Sequence, residues 1–260
     1  MKKVICPVDF SDVSINATAY AAKIAQISNA ELILFHEHSL WSRPEEFVIG
    51  SEDSMQVIAG QLEEQALQIS KAFHISCYAD VISSAKPLSV LIEKMEDDID
   101  LIVMGMDRET DIVKDILGSL AFRLIQNIRI PLLLVPENYT FQAIDRIVFA
   151  FDPYEKEEIP VDKLVEWANI WKAEIQLLEG VNDPDHAAAY AQGEFSSHGI
   201  RIHEVDRSKL IEEIQEFMDA GKANMLALFV RDRKFRQRIF HKSLIQKLEN
   251  TANVPLFIFH

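Results

Sequence analysis

Short apolar runs alternate with helical stripes along the first half of the chain. Runs at Val4–Pro7, Leu32–His36, Ile75–Val81, Leu101–Met104 and Leu132–Val135 have the length and composition of buried strands. Between them, Ser14–Ala25, Val57–Phe73, Pro87–Glu96 and Ser119–Gln126 carry the spacing of helices with one apolar face, and Lys86-Pro87 suits a helix start. Strand alternating with helix predicts an α/β fold: a parallel sheet covered on both faces by right-handed crossovers. The stretch 101–136, LIVMGMDRETDIVKDILGSLAFRLIQNIRIPLLLVP, shows the unit most clearly as strand, loop, helix, strand. Within it, Gly105 and Gly118 mark places where the backbone takes positive φ or lets another group come close. Ser119 stands where a helix should begin, and a helix N-terminus behind a glycine offers unpaired N–H groups to an anion.

The pattern then repeats. MKKVICPVDF, positions 1–10, aligns with IDRIVFAFDP, positions 144–153, so that Asp9 falls on Asp152, and the same offset of 143 carries SNAELILF onto WKAEIQLL. Further on, ILGSLAFRLIQNIRIPLLLV matches FHKSLIQKLENTANVPLFIF at an offset of 124, placing Ser119 on Ser243 and Pro131 on Pro255. The second copy is therefore nineteen residues shorter, with most of the loss expected after its second strand, opposite Ser39–Ser54. A period this long indicates two tandem domains, not a solenoid. The expected domains are 1–140 and 141–260, with the boundary near Asn138–Ile144.

Composition narrows the function classes. The 260 residues are 48% hydrophobic and 26% charged, enough apolar material for a core in each copy. A net charge of −15 argues against a general nucleic-acid or anionic-membrane surface. Two cysteines, Cys6 and Cys77, do not make a disulfide framework, and reduced buried thiols are expected. The N-terminal apolar run stops at Asp9, short of a signal-peptide core, and no later run reaches membrane-spanning length, so the expected location is cytoplasmic. No metal site is expected: His36 and His38 share a strand face, but spacing fixes no further ligands. There is no nucleophile elbow, Walker lysine or Cys-x-x-Cys, so an enzyme is the weaker class. One segment runs against the acidic background, with six basic residues between Arg231 and Lys242. It is either a solvated face or a docking site for a phosphorylated metabolite or an acidic protein.

The residues from Gly105 to Ser119 resemble the nucleotide-binding motif of universal stress proteins: glycine, two residues, glycine, nine residues, then glycine with serine or threonine. Gly105 and Gly118-Ser119 keep the spacing, while Arg108 stands where the second glycine belongs. The N-terminal VICPVDFSDVSINATAYAAKIA also resembles that family's first strand, aspartate and first helix. The resemblance implies two tandem doubly wound domains, each with a five-stranded parallel sheet of order 3-2-1-4-5. Strands one and four then meet at the switch point, where ligands sit beyond the carboxyl ends of such sheets.

By that resemblance Asp9 accepts hydrogen bonds from a ribose, Pro7 and Val8 bound an adenine, and Met104, Gly105, Gly118 and Ser119 line or cradle the phosphates. The implied ligand is ATP or AMP with Mg2+, and the implied role is stress-linked regulation, with slow ATP hydrolysis at most. A local reading of the same residues stands beside it: Asp9 as a helix cap, and Gly118-Ser119 as a turn and N-cap. Arg108 brings a side chain where close backbone approach was wanted, yet is itself a good phosphate donor. In the second copy Gly105 becomes Phe229, Arg108 becomes Asp232 and Gly118 becomes Lys242, so no nucleotide is expected there in the family manner. Two alternatives from other classes are a scaffold acting through protein contacts with an unknown regulatory partner, and a binder of another small molecule. Leu132–Val135 and Leu256–Phe259 are expected to pair within one molecule as a pseudo-dimer, and homodimers of the fused chain are a further expectation.

Overall fold

The computed structural model describes residues 1–39, 51–84, 98–106, 127–151, 161–181, 198–229 and 254–260, with Ile92, Ala121, Leu124, Ile125 and Phe195. These residues form two compact units, one carrying the first five strands as far as Phe141, the other running from Gln142 to His260.

The first unit contains β1 (Lys3–Pro7), α1 (Asp12–Ser28), β2 (Glu31–Ser39), α2 (Ser51–Phe73), β3 (Cys77–Ser84), β4 (Leu101–Met106) and β5 (Leu132–Pro136). Every pairing is parallel: β1 lies between β2 and β4, β3 flanks β2, and β5 flanks β4. The order is therefore β3-β2-β1-β4-β5. Strands β4 and β5 are almost wholly buried, which explains their unbroken apolar runs. Helix α1 buries Ala17, Ala21, Ala22 and Ala25 beside Tyr20 and Ile24, and the small side chains let it lie close to the sheet.

Element ends differ from the periodicity where side chains intervene. Helix α1 starts at Asp12 because Ser11 caps it, its side chain accepting from the Ser14 N–H at 3.2 Å. It stops at Asn29, which takes φ 50° and donates its N–H back to the last turn. Strand β3 starts two residues later than the apolar run suggests. His74 turns the chain at φ 55°, and the Ile75 carbonyl accepts from the Ser70 hydroxyl at 2.7 Å. Strand β4 runs through Gly105 to Met106, so that glycine belongs to the sheet, paired with Val135, and not to the following loop. The helices expected at Pro87–Glu96 and Ser119–Gln126 fall almost entirely outside the described residues.

The second unit contains β6 (Arg146–Phe151), α3 (Val161–Trp171), β7 (Glu174–Val181), β8 (Arg201–Asp206), α4 (Leu210–Asp219), β9 (Met225–Phe229) and β10 (Leu256–Phe259). Its parallel pairings give the order β8-β7-β6-β9-β10. The registers match those of the first unit residue by residue. Val4 pairs with Leu101 where Ile147 pairs with Met225, and Ile102 pairs with Leu132 where Leu226 pairs with Leu256.

Polar contacts outside the ladders match too. The Asp100 carboxylate accepts from the Lys2 and Lys3 N–H groups at 2.7 and 2.8 Å, fixing the start of β1. Asn224 does the same for β6, accepting from the Arg146 N–H at 3.2 Å and donating to the Ala143 carbonyl at 2.5 Å. The shortening of the second unit lies between its second and third strands. Ile33 pairs with Tyr78 across an interval of 45 residues, whereas Gln176 pairs with Arg201 across 25.

Candidate functional site

Strand β1 leads to β2 on one side and pairs with β4 on the other, so the crossovers diverge at the β1–β4 boundary. The carboxyl ends of these two strands bring Pro7, Val8 and Asp9 to the same edge as Met104 and Gly105.

The segment after β1 is held by its own backbone. The Val8 N–H donates to the Phe35 carbonyl at 2.8 Å, and the Val8 carbonyl lies 2.7 Å from His36 Nδ1. A carbonyl only accepts, so His36 Nδ1 carries the proton and donates. Both backbone groups of Val8 are thus occupied, and its side chain is buried; what Val8 offers a ligand is a wall, not a hydrogen bond. Phe10 takes the left-handed conformation, φ 63°, and its ring lies 5.3 Å from that of His36.

That twist at Phe10 brings Ser11 back to Asp9. Asp9 Oδ1 accepts from the Ser11 N–H at 3.0 Å and from the Ser11 hydroxyl at 2.6 Å. The Asp9 side chain therefore anchors the capping serine and is not itself the cap. Partial burial pushes the carboxyl up, but the Ser11 hydrogen bonds outweigh it and hold Asp9 below the usual carboxylate range. The same turn recurs in the second unit: Asp206 Oδ1 accepts from the Ser208 N–H and hydroxyl at 2.8 and 2.6 Å. The turn at Asp9 is therefore not particular to the switch point; what distinguishes Asp9 is its place there. The residue is exposed, both Ser11 hydrogen bonds fall on Oδ1, and the Ser14 hydroxyl and Asp9's own N–H also lower the carboxyl.

Gly105 faces α1. A Cβ added there would meet the Val13 side chain and lie 2.8 Å from the Val13 carbonyl oxygen. The glycine admits the first turn of α1 to the sheet edge, and so brings Asp9's turn and the end of β4 together. Met104 is buried and Pro7 is half-buried. Gly118, Ser119 and Arg108 lie outside the described residues, as do Asp152, Asp232, Lys242, Ser243 and the basic segment 231–242.

In the second unit the position in register with Gly105 is held by Phe229, whose ring lies 5.5 Å from Phe259. The residue answering to His36 is Glu179. The change from Gly105 to Phe229 is legible in the sequence alignment of the two copies; that from His36 to Glu179 is not, because a glutamate is common at a strand end. Among the described residues no group of three His, Cys, Asp or Glu side chains converges on a metal-sized site, and no helix is long and apolar enough to cross a membrane.

A family model described as the universal stress protein family matches residues 1–136. A universal stress protein of Methanocaldococcus jannaschii is 29% identical over 143 residues, 52% of this chain and 81% of its own length. Among solved structures, a universal stress protein from Archaeoglobus fulgidus superposes over 99% of this chain and 97% of its own, at 17% identity and a TM-score of 0.76. A putative universal stress protein from Pseudomonas aeruginosa covers 100% of this chain and 93% of its own, at 12% identity and a TM-score of 0.59. At such identities the two structures speak for the fold alone.

Proposed function

The chain belongs to the universal stress protein family, and on that premise we propose that its first unit binds an adenine nucleotide, ATP or AMP, as the sensing step of a cytoplasmic stress-regulatory protein. The observation that carries this reading is Asp9: an exposed carboxylate at the switch point, positioned through Oδ1 by Ser11. A ribose, with adjacent hydroxyl donors, suits that acceptor. Pro7 and the buried Val8 supply the wall beside it, and Met104 and Gly105 close the opposite side of the boundary. Gly118 and Ser119 are assigned to the phosphates by motif spacing, with Arg108 as a charged partner in place of the missing glycine. Any Mg2+ enters with the phosphates, since no described side-chain cluster holds it.

The chain is proposed to be a tandem of two such domains, a reading supported by the shared strand registers. The second acts as a partner without nucleotide: Phe229 puts a ring where the first unit needs a glycine. The chemistry is binding. No residue is assigned as a catalytic base, and hydrolysis, if measured, should be slow. Isothermal titration of the intact protein with ATP and AMP, with and without Mg2+, tests the reading. Saturable heat abolished by Asp9→Asn supports it, and no heat at millimolar nucleotide overturns it. In that event a scaffold acting through protein contacts, with Arg108 as the change that cost the site its ligand, becomes the better account.

A further inference from the structure

The second unit buries an acid for which the described residues supply no hydrogen-bond partner. Glu179, near the carboxyl end of β7, is 0% exposed, and neither of its carboxyl oxygens has a hydrogen-bond partner among the described residues. A buried carboxylate without donors is costly, whereas its protonated form loses far less on leaving water. The parallel ladder pairs Glu179 with Glu204 of β8 on the same face, so the nearest charge is a second acid.

Among the described residues, the other elements on that face supply no counter-charge. Strand β6 places Phe151 opposite Glu179, with Phe149 two residues earlier, and Phe195 lies 6.4 Å from the Phe149 ring. Helix α3 packs Trp167 and Trp171 on Phe257 of the same face. Its charged residues Asp162, Lys163 and Glu166 are exposed, with Asp162 facing His198 and Lys163 donating to the His260 carbonyl at 2.8 Å. On β8 the next acid on that face, Asp206, is held by Ser208. His203 and helix α4 lie on the opposite face, where the His203 ring meets Phe217. The second unit's described cavity, about 270 Å3, lies at the other end of β7, around Glu174, His198 and Arg201. What Glu179 has room to take up is a proton.

We propose that Glu179 and Glu204 form a proton-operated latch: with Glu179 protonated the carboxyl end of β7 is closed against β8, and loss of that proton forces the two strand ends apart. Burial first, and the Glu204 charge second, raise the Glu179 carboxyl to about 7, within the physiological range. The sign follows from linkage. A carboxyl raised in the folded state keeps its proton after the unfolded chain has lost it. Stability is therefore full below the ordinary carboxylate range, falls as pH rises toward 7, and levels off above it. The end that opens is the end where sheets of this kind hold ligands, so the latch would couple pH to access in the unit that lacks the glycine.

The test is equilibrium unfolding of the full chain from pH 5 to pH 8.5, comparing wild type with Glu179→Gln and Glu204→Gln, alongside carbon NMR titration of the glutamate carboxyls. In wild type the second unit's unfolding constant should rise by up to about tenfold per pH unit from about pH 5 toward about 7 and level off above it, and Glu179→Gln should flatten the profile. In Glu204→Gln the Glu179 resonance should titrate at lower pH. Hydrogen exchange at Gly180 and Val205, corrected for intrinsic pH dependence, should quicken above pH 7 in wild type only. Wild type and Glu179→Gln profiles that run parallel would overturn the latch. So would a Glu179 carboxyl that titrates in the ordinary carboxylate range in the folded protein, a readout that stands even if the variant does not fold.

Discussion

Gly105 and Val13 are in contact across the boundary between strand β4 and helix α1, so close that a Cβ at position 105 would lie 2.8 Å from the Val13 carbonyl oxygen. Gly105, the first glycine of the stretch that resembles the family's motif, thus has a packing duty whether or not a ligand is bound. It lets the helix that follows Asp9 reach the strand that leads toward Gly118.

Gly105→Ala should therefore destabilise the protein whether or not nucleotide is present. The clash is with backbone, which cannot rotate away, and overpacking of this kind costs about 1–3 kcal/mol. Chemical denaturation of the nucleotide-free protein checks it; an unchanged midpoint would mean that α1 shifts freely on the sheet.

Asp9 sets an acid limit on the first unit. Its carboxyl is held below the usual range by Ser11. The stability it contributes is present above the unfolded-chain value, about pH 4, and is lost as pH falls through the folded value. Asp9→Asn should lower stability at neutral pH and flatten the acid limb of the stability profile below about pH 4. Partial exposure makes the effect modest. Parallel acid limbs in variant and wild type would show that Ser11 is held without help from the charge.

Tyr20 is 1% exposed, and its hydroxyl has no hydrogen-bond partner among the described residues. Its ring packs edge-on against Phe141 at 4.9 Å, a contact that needs only the ring. Tyr20→Phe should keep that contact and remove a stranded polar group, for a gain of roughly 1 kcal/mol. A loss of stability in thermal unfolding would reveal a partner for the hydroxyl.

The sheet was legible because β4, β5 and their counterparts are buried on both faces and must be continuously apolar; periodicity and repetition find such strands without help. The ends were less legible, because they are set by single side chains. Ser11 moves the start of α1, Ser70 and His74 delay β3, and Asp100 and Asn224 fix strand entrances through contacts about 80 to 100 residues apart in sequence. At the site, Asp9 and Gly105 could be picked out by spacing. Their actual contacts, with Ser11 and Val13, depend on the left-handed turn at Phe10 and on how closely α1 packs, neither of which leaves a pattern in the residues themselves. Glu179 was invisible for a related reason: a glutamate in a strand looks solvent-facing until the fold buries it.

The central claim is that the switch point beside Asp9 holds an adenine nucleotide, and the most direct measurement is a thermal-shift titration of the intact chain with ATP and AMP in the presence of Mg2+. A ligand that binds only the folded state raises the melting temperature by mass action, and one at 100 times its dissociation constant stabilises by about 2.7 kcal/mol. The account predicts a saturable rise for wild type that is absent in Asp9→Asn and in Gly118→Lys, each compared with its own nucleotide-free melting temperature. No rise at millimolar nucleotide, or an equal rise in wild type and both variants, would contradict it.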